Sequence, residues 1–114
     1  MPEEYKVIVV PEAQRDITEV LLYVAKEISA TQVAIKLQIE LRRGIDSLRF
    51  MPKRAKPIEE KPWGEMGVRR IRVQNYYVYY WLNDIEKVAY VIAVIYARMK
   101  QENQLYKRQG NCRL

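Results

Sequence analysis

Three arginines on one short segment are the residues of this chain whose type and spacing best suit chemistry. Arg69, Arg70 and Arg72 fall within four positions of each other, shortly before Gln74. Guanidinium groups keep their charge at physiological pH and bind phosphates and carboxylates through paired hydrogen bonds. Three such charges on one strand are costly unless an anion binds there or their aliphatic stems cover apolar surface. The segment therefore indicates either a polyanion site or a solvated edge of a sheet.

The alternation of side chains along a β-strand divides these arginines between two faces. Arg70 and Arg72 share a parity, so their side chains leave one face about 7 Å apart, which matches the spacing of successive phosphates. Arg69 has the opposite parity, shared with Ile71 and Val73, and is a candidate ligand contact or a structural arginine that bonds loop carbonyls. For Arg70 and Arg72 the alternative is pairing with Asp or Glu across the sheet.

Four tyrosines follow the arginines after a short turn. Tyr76, Tyr77, Tyr79 and Tyr80 alternate between the faces of a strand, so two can be buried and two exposed. Exposed tyrosines beside arginines stack on bases in single-strand binding proteins, and they are equally suited to protein interfaces. Both interpretations remain open on the sequence alone.

The composition restricts the catalytic groups that the chain can use. It contains no histidine, which removes the commonest general base and the commonest metal ligand. Its single cysteine, Cys112, can form neither an internal disulfide nor a thiolate metal site. Any catalysis must therefore use Glu, Asp, Lys, Arg or Tyr, and we expect neither a metal nor another cofactor.

Hydrophobic periodicity predicts the elements that position these residues. β-branched residues over positions 5–10 indicate a first strand, and Pro11 suits the first turn of a helix. Apolar residues at helical spacing continue to about residue 28, and a second helix begins at Ser29, where Ser29-Ala30-Thr31-Gln32 fits a capping box. Three strands follow at about 67–73, 76–82 and 88–95, with a tight turn at Gln74-Asn75, where Asn75 tolerates left-handed backbone, and a second turn from Asn83-Asp84.

The order β-α-α-β-β-β predicts an α+β domain in which a helix hairpin packs on one face of a small antiparallel or mixed sheet. In the last strand alternation puts Ile92 on the face of Val94, and both faces are apolar, which indicates a central position. The sheet face away from the helices would carry Arg, Tyr and Trp. The segment 51–66 holds three of the five prolines and is predicted to be an irregular, functional loop. The helices and the sheet are expected to meet through Ile17, Leu21, Leu37, Leu41, Val78 and Val94.

The length and charge of the chain bound its organisation. At 114 residues it is expected to form one domain, 1–114, with a polar tail from about residue 98. No apolar run approaches the roughly 20 residues that span a bilayer, and no signal peptide is recognisable, so we expect a cytoplasmic protein without membrane association. The net charge is +6, and residues 53–73 carry seven positive against three negative side chains. This asymmetry favours an acidic partner or nucleic acid, unless it serves solubility alone.

Four segments together resemble the RelE/ParE superfamily of toxins from type II toxin–antitoxin systems, the plasmid stabilization proteins. They are a helix start at 13–17 (Ala-Gln-Arg-Asp-Ile), a helix end at 45–52, the hairpin at 67–76, and the final strand at 91–96 with Arg98. The resemblance implies a small basic toxin that is neutralised by a cognate antitoxin, which we expect to be acidic. RelE-like members enter the ribosome and cleave mRNA without a metal, whereas ParE-like members inhibit DNA gyrase and cleave nothing.

The resemblance also implies roles for individual residues. It gives catalytic roles to Arg70, to Arg98 after the last strand, and to Tyr106 as the counterpart of a C-terminal tyrosine. The RelE-like pattern has Tyr-Arg after the turn, where this chain has Tyr76-Tyr77, so one expected cation is missing. As binding residues we expect Tyr77 itself together with Arg69, Arg72, Lys53 and Arg54.

The loop before the arginine strand carries the candidate general bases. Cleavage of RNA without a metal needs a base that takes the 2′-hydroxyl proton and a cation that stabilises the phosphorane. Glu59, Glu60 or Glu65 can supply the base, although each is also explained as a solvated loop residue. Because cationic groups are abundant, we favour ribosome-dependent cleavage of mRNA. Gyrase inhibition without catalysis is the alternative, and a non-toxic binding module of the same fold is a third interpretation.

Overall fold

The computed structural model describes residues 4–27, 31–98 and 105, and these form two helices and four strands. In chain order they are β1 (Lys6–Val9), α1 (Pro11–Glu27), α2 (Thr31–Ser47), β2 (Arg69–Val73), β3 (Tyr76–Asn83) and β4 (Val88–Tyr96). The predicted β-α-α-β-β-β order and α+β class are confirmed. The described part of the second helix begins at Thr31; Ser29 and Ala30 of the expected capping box lie outside the described residues.

The four strands form one mixed sheet in the order β1-β4-β3-β2. β1 runs parallel to β4, whereas β4, β3 and β2 form an antiparallel meander. β4 therefore has a strand on each side, and this central position is the one predicted from its two apolar faces. The arginine strand β2 lies at the edge of the sheet.

The helix hairpin covers one face of the sheet, which we call the helix face. Leu37, Leu41, Val78 and Val94 are buried between the two layers, and Ile17 and Leu21 pack against them as predicted.

Helix α2 approaches β2 closely at Gly44, where an added Cβ would stand 2.6 Å from Cγ2 of Val73. No described helix is long and apolar enough to span a membrane.

A β-bulge in β4 overturns the strict alternation expected for this strand. Tyr79 pairs with Ala93 but Tyr80 pairs with Val91, so Ile92 is the extra residue of the bulge. Ile92 consequently packs with Ala93 on the face away from the helices, while Val94 remains on the helix face. The prediction that Ile92 shares a face with Val94 was wrong because simple alternation assumes a regular ladder.

Both hairpin turns lie at the polar residues where they were predicted, with one correction. Val73 pairs with Tyr76, which leaves the predicted two-residue turn, but its left-handed residue is Gln74 (φ 52°) and not Asn75. In the β3–β4 turn, Oδ1 of Asn83 accepts hydrogen bonds from two following backbone N–H groups. Both turns are thus closed by local chemistry.

Asp16, the acidic residue of the helix-start segment, has a structural role. Its Oδ2 accepts a hydrogen bond of 2.9 Å from the backbone N–H of Val94, beyond the point where β1 stops pairing with β4. The carboxylate thereby satisfies a strand donor and ties α1 to the sheet. Ala13, one turn earlier, is fully buried against the same core.

Candidate functional site

The loop between α2 and β2 folds back onto the face of the sheet opposite the helices. Ile58, Trp63 and Val68 are buried there with Tyr79 and Ile95 in a second apolar cluster. The N–H of Ile58 donates to the carbonyl of Val68 at 2.9 Å. The chain also turns so tightly at Gly64 that any Cβ would collide with the carbonyl oxygen of Ile58. This loop is irregular, as predicted, but its own core holds it against β2.

Arg70 is the centre of the polar contacts on this face. Its Nη1 donates to Oε2 of Glu60 at 3.0 Å and to the hydroxyl oxygen of Tyr79 at 3.2 Å. Its Cζ lies 4.1 Å from the centroid of the Tyr77 ring. Among the described residues these hydrogen bonds use Nη1 alone, so Nε and Nη2 remain available for a ligand. The protein therefore orients the guanidinium and leaves part of its hydrogen-bonding capacity for a ligand.

Arg70 and Tyr79 differ in charge at neutral pH, and their pKa shifts maintain this difference. Burial acts to lower the pKa of Arg70, but the hydrogen bond to Tyr79 and the neighbouring Glu60 and Tyr77 raise that pKa overall. Burial raises the pKa of Tyr79 above its ordinary value, against the opposing effect of the Arg70 charge. Arg70 is thus always a cation, and Tyr79 stays protonated at neutral pH. The neutral hydroxyl of Tyr79 orients the guanidinium.

A cleft of about 620 Å³ opens between the loop and β2, and we call it the basic cleft. Its charged lining consists of three cations and two carboxylates: Arg54, Lys56, Arg70, Glu59 and Glu60. Arg54 is steadied by a hydrogen bond of 2.8 Å from its Nη2 to Oγ of Ser47. The cleft combines groups that bind phosphate or carboxylate with two carboxylates of its own.

Two of the predicted binding arginines bond to backbone. Arg69 donates to the carbonyl oxygen of Ala55, which is the structural role considered for it. Nε of Arg72 donates to the carbonyl of Gln74 at 2.8 Å, and its Cζ lies 5.7 Å from the Tyr77 ring centroid. Arg72 therefore shares the Tyr77 platform with Arg70 but is exposed. The carboxylate that pairs with Arg70 belongs to Glu60 of the loop, and not to a residue on a neighbouring strand.

The remaining predicted residues are dispersed. Lys53 forms an ion pair of 3.3 Å with Asp84 at the β3–β4 turn, and it does not line the basic cleft although its neighbour Arg54 does. Arg98 is exposed after β4, beside the β2–β3 turn, where the N–H of Ala97 donates to Asn75. Arg98 does not line the cleft either. Tyr106 lies outside the described residues.

The structure separates the three candidate bases. Glu60 contacts Arg70 and is about a quarter exposed, whereas Glu59 lines the cleft from an exposed position. Glu65 instead pairs with Lys61 at 3.5 Å on the surface. Among the described residues no group of three potential metal ligands lies together. A single carboxylate is thus brought to the arginine that could act on a phosphate.

Tyr79 and Lys56 were missed as site residues. For Tyr79 a signal existed, because a two-residue turn at 74–75 makes Arg70 and Tyr79 direct cross-strand partners, as the register shows. For Lys56 there was none, because its position depends on how the loop folds. Trp63 is buried and Trp81 packs partly buried against the same apolar cluster; Nε1 of Trp81 donates to the Met66 carbonyl at 2.9 Å.

A second concavity lies between the helix hairpin and the β2–β3 turn, and we call it the hairpin groove. It measures about 780 Å³ and is mainly apolar. Tyr76 and Tyr96 meet edge to face at 5.5 Å in its wall, and burial together with the neighbouring tyrosines raises the pKa of Tyr76. Two side chains at the groove, Tyr23 and Val33, are more than half exposed. Exposed tyrosine and valine around an apolar floor suit a protein partner.

Comparison with known proteins gives a consistent family relationship. A family model described as the ParE toxin of the type II toxin–antitoxin system parDE matches residues 7–101. No match is found among curated proteins.

Three solved structures share the architecture. The chromosomal ParDE system from P. aeruginosa is similar at 13% identity over 83% of this chain and 98% of that chain, with a TM-score of 0.66. A RelBE toxin–antitoxin complex from Mycobacterium tuberculosis is similar at 16% identity over 82% of this chain and 92% of that chain, with a TM-score of 0.56. Free E. coli RelE, in which two arginines are replaced by alanine, is similar at 17% identity over 93% of this chain and 98% of that chain, with a TM-score of 0.52. At such identities these likenesses establish the fold.

Proposed function

The chain belongs to the family of ParE toxins of type II toxin–antitoxin systems, and although ParE-like members inhibit gyrase, we propose from the geometry of the basic cleft that this chain cleaves mRNA on the ribosome. The observation that carries the proposal is the 3.0 Å contact between Glu60 and Arg70 in a cleft lined by Arg54 and Lys56. A carboxylate and a permanent cation at this distance form the base and the transition-state stabiliser that cleavage without a metal needs.

The proposed chemistry starts at the 2′-hydroxyl of the RNA. Glu60 takes its proton while the 2′-oxygen attacks the adjacent phosphorus, and the free Nε and Nη2 edges of Arg70 bind the phosphorane oxygens. The bond between phosphorus and the 5′-oxygen then breaks, which leaves a 2′,3′-cyclic phosphate and a 5′-hydroxyl. Tyr106 is the candidate donor of the proton to that leaving oxygen, on the resemblance to RelE-like toxins.

A matched pair of carboxylate variants tests the proposal. In a translation reaction with a defined mRNA, Glu60→Gln should lower cleavage by roughly 10²–10⁴-fold, which is the usual contribution of a positioned base. Arg70→Ala should lower it by about 10²–10³-fold because a donor to the developing charge is lost. Glu59→Gln, in the same cleft but without the arginine contact, should cleave like the wild type. Equal effects of both glutamine variants, or inhibited translation with intact mRNA, would refute the nuclease proposal.

Inhibition of DNA gyrase is the second candidate function, and both the match to the ParE family and the residue at position 77 favour it. Tyr77 occupies the position where the RelE-like pattern has an arginine, and its ring lies against Arg70 at 4.1 Å. The ring takes the space in which a second cation would approach the phosphate. If this candidate is correct, the purified protein inhibits supercoiling by gyrase, and Glu60→Gln leaves that inhibition unchanged.

For the cognate antitoxin we propose the hairpin groove as the docking site. The groove combines an apolar floor at Val24 and Leu37 with exposed Tyr23 and Val33 on its rim. An apolar segment of the antitoxin fits this lining, while acidic residues elsewhere in the antitoxin would cover the basic cleft. Val33→Asp should abolish copurification with the antitoxin, whereas Met66→Asp, an exposed apolar residue outside the groove, should leave it intact. Retention of the antitoxin by Val33→Asp would exclude the groove.

A further inference from the structure

The β3–β4 turn presents an isoleucine to solvent in a rigid setting. Ile85 is 96% exposed, at a position where polar residues are the rule. Oδ1 of Asn83 accepts hydrogen bonds from the N–H groups of Ile85 at 3.1 Å and Glu86 at 3.0 Å, which holds the turn in one shape. Two exposed acids, Asp84 and Glu86, flank the isoleucine. We call residues 84–86 the acidic knob.

A basic and apolar segment runs beside the acidic knob. Phe50 is 54% exposed and Met51 is 61% exposed, and the exposed cations Arg49 and Lys53 stand on either side of them. The backbone N–H of Tyr5 donates to the carbonyl of Arg49 at 2.8 Å. The hydroxyl of Tyr5 in turn donates to Asp84, which also pairs with Lys53. Residues 49–53, which we call the basic strip, therefore share one end of the molecule with the knob.

The knob and the strip are complementary in charge, and both are apolar at their centres. We propose that they form a self-association surface, on which the acidic knob of one copy packs against the basic strip of a second copy about a two-fold axis. In such an interface every contact occurs twice, because the same patch is used by both partners. Ile85 of each copy meets Phe50 and Met51 of the other, and Glu86 pairs with Arg49 across the interface. Among the described residues neither Glu86 nor Arg49 has an ion-pair partner within its own chain.

The chemistry of the patch selects a second copy as its occupant. A nucleic acid would be repelled by the acids of the knob and gains nothing from an aliphatic side chain there. The patch has only three large apolar side chains, so we infer a weak dimer that forms at high protein concentration. This inference does not depend on the proposed nuclease or gyrase activity, because neither the basic cleft nor the hairpin groove contains these residues.

Sedimentation of the free protein from micromolar to millimolar concentration tests the dimer. The wild type should shift from monomer to dimer, and Ile85→Lys should remain a monomer throughout. Ile39→Lys is the matched control, since Ile39 is 47% exposed on α2, away from the patch. Circular dichroism establishes that each variant is folded. A monomeric wild type at millimolar concentration, or loss of the dimer in Ile39→Lys but not in Ile85→Lys, would overturn the proposal.

Charge reversal identifies the contact itself. Arg49→Glu and Glu86→Lys should each weaken dimerisation at least several-fold, and the double variant carrying both changes should restore it, because each new lysine then faces a new glutamate. The double variant keeps the wild-type net charge, so the single variants separate pairing from a general effect of net charge. Repulsion between net positive charges would fall in Arg49→Glu and rise in Glu86→Lys, whereas loss of the pair weakens the dimer in both. Failure of the double variant to recover, with both single variants weakened, would rule out the two-fold arrangement.

Discussion

The guanidinium of Arg70 is held by side chains from two separate parts of the chain. Tyr77 and Tyr79 come from the neighbouring strand, and Glu60 comes from the loop ten residues earlier. Each contact has a different physical basis: a ring face, a neutral hydroxyl and a charge. The arrangement orients one arginine edge toward the loop and leaves the other edge for a ligand. This division is what makes Arg70 suitable for phosphate chemistry.

Replacement of Tyr77 tests the nuclease proposal at the level of one residue. If the protein is a nuclease, Tyr77→Arg supplies the cation that the RelE-like pattern contains, so mRNA cleavage should stay unchanged or rise. Tyr77→Phe keeps the ring over Arg70 and should behave like the wild type. Cleavage of a reporter mRNA during translation measures both. A loss in Tyr77→Arg as large as that in Arg70→Ala would mean that the ring, and not a cation, is needed there.

At the scale of elements, a small polar cluster joins three segments that are distant in sequence. The hydroxyl of Tyr5, just before β1, donates to Oδ1 of Asp84 at 2.7 Å. Lys53 of the loop pairs with the same carboxylate, and Nζ of Lys87 lies 5.4 Å from the Tyr5 ring centroid. The cluster fixes the start of the loop whose next residues, Arg54 to Glu60, line the basic cleft. A surface contact thereby contributes to the geometry of the site.

The Tyr5–Asp84 contact predicts a defined pH dependence of stability. The hydrogen bond from Tyr5 lowers the pKa of Asp84, so its stabilisation is present above the unfolded pKa of about 3.9 and is lost as the pH falls through the lower folded pKa. The same hydrogen bond raises the pKa of Tyr5, so that contribution is present below about pH 10 and is lost as the pH rises through the higher folded pKa.

Tyr5→Phe removes both contributions. Its free energy of unfolding should be lower by at most about 1 kcal/mol at neutral pH, since Asp84 is more than half exposed. The difference from the wild type should shrink below about pH 4 and above about pH 10. Urea unfolding across this range measures it, with Tyr23→Phe on the exposed face of α1 as the control. A difference that is independent of pH would show that packing, and not the hydrogen bond, is responsible.

At the scale of the whole molecule, three surfaces are kept apart by the sheet. The basic cleft lies on the face away from the helices, and the hairpin groove lies between the helices and the β2–β3 turn. The acidic knob is at the far end of β3, which spans eight residues and hence about 23 Å from Tyr76 to Asn83. The basic cleft, the hairpin groove and the acidic knob therefore lie at different places on the molecule.

The three cations of the basic cleft predict that binding of RNA to this cleft is sensitive to salt. With three cleft cations on phosphates, the logarithm of the affinity for single-stranded RNA should fall with the logarithm of salt at a slope of about −2. Lys56→Ala should reduce the slope by about 0.7, whereas Lys26→Ala at the end of α1 should not change it. Fluorescence anisotropy with a short labelled RNA gives these slopes. Equal changes in both variants would mean that binding is a property of overall charge and not of the cleft.

The sequence alone determined the elements and their order because these depend on local periodicity. The apolar spacing of α1 and α2, the alternation of Arg70 with Ile71, and the polar turns all act within a few residues. The pairing of Arg70 with Tyr79 also follows from the two-residue turn. The fold class, the central position of β4 and the face on which Arg70 lies therefore follow from local patterns of residues.

Only the tertiary structure decided which carboxylate meets Arg70. The loop has no period, and its shape is set by burial of Ile58 and Trp63 against the sheet, which is a long-range contact. That packing brings Glu60 to Arg70, turns Lys53 toward Asp84 and leaves Glu65 on the surface. The bulge at Ile92 is likewise a property of the paired strands, so no single strand encodes it. Local patterns specify elements, whereas the site depends on residues that packing alone brings together.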